Sequence, residues 1–105
     1  MPQSDLLKII DQTQEKIILA VLTHFGIDEN TLIFGITHHV SYMRWIVFYL
    51  TKNNTRLSLK SIGERMKKFP PTVKHGIDSI EVQKKIYAGV KKDIDAIEKD
   101  LGFLQ

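Results

Sequence analysis

The chain contains no cysteine, so disulfides and thiolate metal sites are both excluded. Three prolines and six glycines in 105 residues leave no linker or low-complexity tract rich in either. Long apolar runs are missing too. The longest stretch without a charge, residues 30–43, holds two histidines, Gly35 and several polar side chains, too short and too polar to span a bilayer. Met1-Pro2-Gln3-Ser4-Asp5 lacks the basic and apolar regions of a secretory signal, so the expected compartment is the cytoplasm, with no membrane partner. Neither an alternating strand pattern nor an internal repeat occurs. What remains is one expected domain over residues 1–105, large enough to bury a core of its own.

Acidic residues are scarce in the middle of the chain. Residues 44–74 carry Arg44, Lys52, Arg56, Lys60, Arg65, Lys67, Lys68 and Lys74 against Glu64 alone, a net charge of +7. The segments before and after are at −3 and −1, which leaves +3 for the chain. A basic middle between acidic flanks points to an anionic partner. A solvated lysine-rich face is the alternative.

The apolar pattern is helical nearly throughout, which predicts an all-α domain of about five to six helices. Leu6, Leu7, Ile9, Ile10, Ile17, Ile18, Val21, Leu22 and Phe25 recur at three- and four-residue intervals, with Ser4 as expected N-cap and Gly26 as the stop. Asp28-Glu29-Asn30 reads as a turn or the start of a short helix carrying Leu32 and Ile33. Residues 35–39 read as a loop, and Ser41 as the cap of a helix over about residues 42–52. That helix is apolar on nearly every side, so it is expected at the centre, with Trp45, Phe48 and Tyr49 in the core. Ser58 is expected to cap a helix ending near residue 68, facing Leu59, Ile62 and Met66 inward. Pro70-Pro71 breaks the chain, and Pro71 suits the first turn of the next helix. Gly89 is expected at a junction or kink before a last helix over about residues 88–100.

A capped short helix, a tight break and a second helix with a polar start form a helix-turn-helix pattern over about residues 58–83. Gly63 supplies the small residue needed where the two helices cross. The second helix is expected to offer its first turn, with backbone N–H groups and a positive dipole end, to DNA.

Tyr42-Met43-Arg44, Ile46-Val47-Phe48-Tyr49-Leu50 and Leu57-Ser58-Leu59-Lys60-Ser61-Ile62-Gly63 occur at fixed spacing. Thr72-Val73-Lys74-His75 and Ile80-Glu81 follow, and Phe25-Gly26-Ile27 and Leu32 precede them. Together these residues resemble the C-terminal DNA-binding domain of the bacterial replication initiator DnaA, over roughly residues 17–101. The resemblance implies a helical domain with a helix-turn-helix, duplex DNA as partner and a role in regulating replication or transcription. It also implies that Arg44 matches an arginine entering the DNA minor groove. Three departures stand out. Where the family has Gly-Gly-Arg-Asp-His-Thr, this chain has the shorter Lys67-Lys68-Phe69-Pro70-Pro71. The family's basic loop is Gly35-Ile36-Thr37-His38-His39 here, and Asp78-Ser79 replaces a basic pair. No Gly-x-x-x-x-Gly-Lys-Ser/Thr occurs in these residues, so a copy without the ATPase part, needing no nucleotide cofactor, is expected.

The candidate DNA-binding residues are Arg44, Lys52, Lys60, Lys67, Lys68, Thr72, Lys74 and His75. The lysines are phosphate contacts or solubilising charges. Arg44 reads the groove, or is a surface arginine or a salt-bridge partner of Glu81. Thr72 touches phosphate or a thymine methyl, or simply starts a helix. His75 faces DNA or packs. His24, His38 and His39 lack the spacing of metal ligands, and neither a catalytic constellation nor a cofactor is expected. The rival function is a protein-interaction module that keeps the scaffold without reading DNA, its first and last helices offering a seam for a homodimer.

Overall fold

The computed structural model describes residues 2–102, with side chains from residue 12 onward. Six helices make up these residues, with no strand among them: α1 (Pro2–Phe25), α2 (Glu29–Phe34), α3 (His38–Asn54), α4 (Leu59–Met66), α5 (Pro70–Ile86) and α6 (Ala88–Leu101). The side chains of Leu6, Leu7, Ile9 and Ile10 lie outside the described residues. Ser4 falls inside α1 and does not cap it, because the helix already runs from Pro2. None of the described helices is long and apolar enough to cross a membrane.

Helix α3 is the hub. It packs against α1, α2, α4 and α5, while α6 closes the far side by packing on α1 and α5. Every residue from Ile46 to Thr51 is buried, as its all-round apolar pattern demands. Ile17 and Val21 of α1, Ile62 and Met66 of α4, Val73 and Ile80 of α5, and Ile97 of α6 fill the same core at 0% exposure. Trp45 departs from expectation. It is only half-buried, at the seam with α5, where its ring meets Gly76. A Cβ on Gly76 would lie 2.6 Å from Trp45 Cδ1 and 2.9 Å from Phe48 Cδ2, so the seam closes only over a glycine.

Local chemistry sets most helix ends. Gly26 takes a left-handed φ of +67° after α1 and donates its N–H to the Leu22 carbonyl at 2.8 Å. Asp28 caps α2 by accepting the Thr31 N–H at 2.7 Å. Helix α3 starts earlier than predicted because its N-cap is Thr37, which accepts the Val40 N–H at 3.2 Å. The Ser41 hydroxyl is therefore free to accept from Arg44. The break between α5 and α6 falls on Tyr87, in extended conformation, two residues before the glycine expected there.

Ser58 caps α4 as expected, accepting the Ser61 N–H at 3.1 Å. Ser58→Ala should cost about 1 kcal/mol in urea unfolding, since it strips the only side-chain acceptor from that helix start. At the other end Lys67 stands in the left-handed region, with φ 57° and ψ 41°, and the Lys68 N–H donates to the Gly63 carbonyl at 2.8 Å. That bond folds the turn back over α4. A Cβ on Gly63 would sit 2.2 Å from the Lys68 carbonyl oxygen, so the expected small residue is required by the backbone of the turn itself.

Candidate nucleic-acid interface

Helix α4 is anchored by polar groups as well as by its apolar face. Gln14 of α1, 2% exposed, donates to the Ile62 carbonyl at 3.2 Å. Arg65 reaches two carboxylates, Glu15 at 2.8 Å and Glu29 at 2.7 Å, tying α4 to α1 and α2. Hydrogen bonds to these carboxylates hold the Arg65 pKa above its ordinary value. One of the eight basic residues in the middle segment is thereby neutralised within the chain.

Arg44 is a second. At 9% exposure it is neither a surface arginine nor a partner of Glu81, which pairs with Lys84 at 3.5 Å. Its Nη1 donates to the carbonyls of Leu32 at 2.7 Å and Gly35 at 2.9 Å, with a longer approach to Ile33 at 3.4 Å. Its Nη2 donates to Ser41 Oγ at 3.2 Å. The guanidinium thus satisfies the carbonyls that a six-residue helix leaves open at its C-terminus, where a positive charge also suits the dipole. Burial lowers its pKa, yet a guanidinium stays protonated at any physiological pH.

Lys68 joins it there. Its Nζ donates to the Ile33 carbonyl at 2.8 Å, pinning the turn of the helix-turn-helix to the end of α2. Burial, and then the neighbouring charge of Arg44, push its pKa below the ordinary lysine value. Lys52 donates to the Leu57 carbonyl at 3.3 Å, and Lys74 pairs with Asp78 one turn on at 2.9 Å. His75 meets the edge of Trp45, ring centres 5.4 Å apart.

Lys60, Lys67 and Arg56 are exposed, and their side chains hold no hydrogen bond or ion pair with any described residue. Lys60 and Lys67 come together with Glu64, Lys68, Phe69 and Pro70 around a groove of about 440 Å³ beside the turn. Arg56, just before the Ser58 cap, is a further exposed cation that no motif singles out. Only the charge count contained a signal for it.

The start of α5 differs from expectation. Phe69 is its N-cap and offers no side-chain cap, and Pro70 and Pro71 have no N–H. The next two N–H groups, of Thr72 and Val73, both donate to the Phe69 carbonyl, at 3.0 and 3.2 Å. No backbone donor is left there for a phosphate, so recognition by this helix rests on side chains. Thr72 stands exposed in the first turn, followed by Lys74 and His75, and Ser79 bonds back to the His75 carbonyl at 2.7 Å.

His24 and His39 make side-chain contacts within the chain. His24 Nε2 lies 3.0 Å from Asp93, whose other oxygen accepts from Tyr42 at 2.7 Å, joining α1, α3 and α6. Burial and the Asp93 hydrogen bond raise the Tyr42 pKa well above its ordinary value. His39 stacks on Tyr42, ring centres 6.4 Å apart. Among the described residues no group of three or more possible ligands is placed to hold a metal ion.

No curated protein matches the chain. A family model described as bacterial dnaA protein helix-turn-helix matches residues 14–80, from the middle of α1 into α5. That span contains the buried arginine, the Ser58 cap, the close-packed Gly63 and the whole of α2, α3 and α4. Matched over more than half its length, and folded with the helix-turn-helix in the matched region, the chain belongs to the bacterial DnaA helix-turn-helix family.

Proposed function

We propose that the protein binds duplex DNA through its helix-turn-helix, gripping phosphates along α4 and the turn and reading sequence only weakly. The observation that carries this reading is the set of unpaired cations, Arg56 just before the helix-turn-helix and Lys60 and Lys67 within it, in a stretch, residues 44–74, whose one acid is Glu64. Thr72 and His75 on α5 face outward as the side chains available to a base edge. Arg44 acts as a brace for α2 in this reading and not as a groove reader, since its donors are already committed to carbonyls. The loss of N–H donors at the start of α5 and the Lys74–Asp78 pair both weaken specific recognition by that helix.

Binding measured across salt concentrations tests the proposal. Log K should fall linearly with log salt, at about −0.9 per phosphate and for roughly three to five phosphates. Lys60→Ala and Lys67→Ala should each flatten the slope by about one unit on every duplex alike. Absence of duplex binding at low salt would refute the reading. The rival, an interaction module, draws support from Val82, Ile86 and Tyr87, exposed together at the end of α5. The apolar face of α6 is not open to such a partner, because Val90, Ile94 and Ile97 are buried within the chain.

A further inference from the structure

Helix α5 buries Val73, Gly76 and Ile80 and turns its opposite face to solvent. That outer face has two unlike halves. Toward its end stand Val82, Ile86 and, at the cap, Tyr87, which are 56%, 64% and 58% exposed. Before them lies a shallow groove of about 370 Å³ lined by His75, Asp78, Ser79, Val82 and Gln83. The first four are spaced i, i+3, i+4 and i+7, the four-residue hole that receives a knob in helix–helix packing. Ile86 is an apolar knob one turn beyond that hole on the same stripe. Knob and hole on one helix face cannot meet within a chain. Across a two-fold axis they meet twice.

The charges select the occupant. Residues 75–87 hold Asp78 and Glu81 against Lys84 and Lys85, which balance. This part of α5 therefore has none of the cationic excess of residues 44–74 and offers phosphate little. The same balance lets a second copy approach without like-charge repulsion. In an antiparallel pair centred near Val82, Ile86 of each copy falls over the groove of the other. Asp78 then falls beside Lys85 of the second copy, on the same flank. Lys85 is exposed and pairs with no described residue. Asp78 pairs with Lys74 one turn away, both ends more than half exposed, and such a bond costs little to exchange.

We propose that two copies of the chain pair antiparallel through the outer face of α5, and that this dimer and a bound duplex exclude each other. The exclusion rests on the duplex-binding reading above. His75 lines the groove that Ile86 of the second copy fills, and that reading turns His75 to the base edges. The seam uses neither α1 nor α6. Three apolar side chains and their flanks fall short of the about 800 Å² per partner of a stable complex, so the dimer is weak and forms at micromolar concentrations and above. Self-association withholds the start of α5 when the protein is abundant, and duplex releases it.

Sedimentation velocity from micromolar to millimolar protein tests this on wild type, Ile86→Ser, Asp78→Lys, Lys85→Asp and the double swap of Asp78→Lys with Lys85→Asp. Wild type should pass from monomer to dimer. Ile86→Ser should weaken the dimer about a hundredfold, since one buried isoleucine contributes about tenfold and the two-fold counts it twice. Each single charge change sets like charges together at both ends of the seam and should weaken the dimer. The double swap should restore it, which a general loss of structure would not do. The altered side chains stand outside the core, so circular dichroism of every variant should match wild type. A short duplex in excess should convert the wild-type dimer into complexes holding one chain each. Monomeric wild type at millimolar concentration, a dimer unmoved by Ile86→Ser, or one that the double swap leaves broken, overturns the seam. Dimers that persist on the duplex overturn the exclusion. Failure to bind duplex at low salt overturns the duplex-binding reading and the exclusion with it, while the sedimentation of the free variants decides the seam separately.

Discussion

Arg44→Ala should lower the free energy of unfolding by about 3 kcal/mol, with a fall in Tm of more than about 10 °C. The guanidinium holds the Leu32 and Gly35 carbonyls at 2.7 and 2.9 Å and the Ser41 hydroxyl at 3.2 Å. A hydrogen bond from a charged donor contributes about 1.5–3 kcal/mol, and the bonds of one group do not add in full. Losing them leaves part-buried carbonyls unsatisfied at the end of a six-residue helix, far too short to persist alone. Relief of the repulsion on Lys68 returns a little of the loss. Arg44→Lys should recover only a minor part, because one ammonium cannot span acceptors that the planar fork reaches together. Urea unfolding of the free protein measures the effect. Duplex titration below the melting range should show all sequences weakened alike. Unfolding within about 0.5 kcal/mol of wild type, the range of an ordinary surface substitution, would mean that Arg44 braces nothing.

Gly63→Ala should be comparably damaging, at about 3 kcal/mol, and should also abolish duplex binding. The new Cβ would lie 2.2 Å from the Lys68 carbonyl oxygen and 3.1 Å from Val73 Cγ2. The first neighbour is backbone and cannot swing aside. Moving it would break the bond from Lys68 N–H to the Gly63 carbonyl and drag the Lys68 side chain from the Ile33 carbonyl. A side chain here therefore opens the turn that sets α5 against α4. Gly89→Ala is the matched control, with nothing within 4 Å of its added Cβ. It should be neutral or gain up to about 0.5 kcal/mol from helix propensity. Equal behaviour of the two variants would show that the close approach at Gly63 has no energetic weight.

The two predictions differ in how far the sequence foretold them. Gly63 was legible because a helix-turn-helix demands a small residue at a fixed offset from its cap, and Ser58 marked that cap. The consequence of Pro70-Pro71 was also written in the chain, since two prolines remove two N–H groups wherever they open a helix. The early start of α3 was not legible. Thr37 and Ser41 are both good caps by residue type, and the chain uses Thr37, which leaves Ser41 inside α3 to accept from Arg44. Nor could the pattern foretell that Trp45 would stop half-way into the core, against a glycine on α5.

Helix number, most helix ends, the central place of α3 and the excess of positive charge follow from residues within a few positions of one another. Periodicity, capping and proline chemistry act at that range, so the sequence by itself determined them. Which charges remain outside was decided by tertiary structure alone. Arg44 and Lys68 turn inward to carbonyls of α2, and Arg65 turns to Glu15 of α1 and Glu29 of α2. A formal charge counts equally wherever it stands in the chain. Its availability depends on acceptors that other segments bring within about 3 Å, and only folding assembles those.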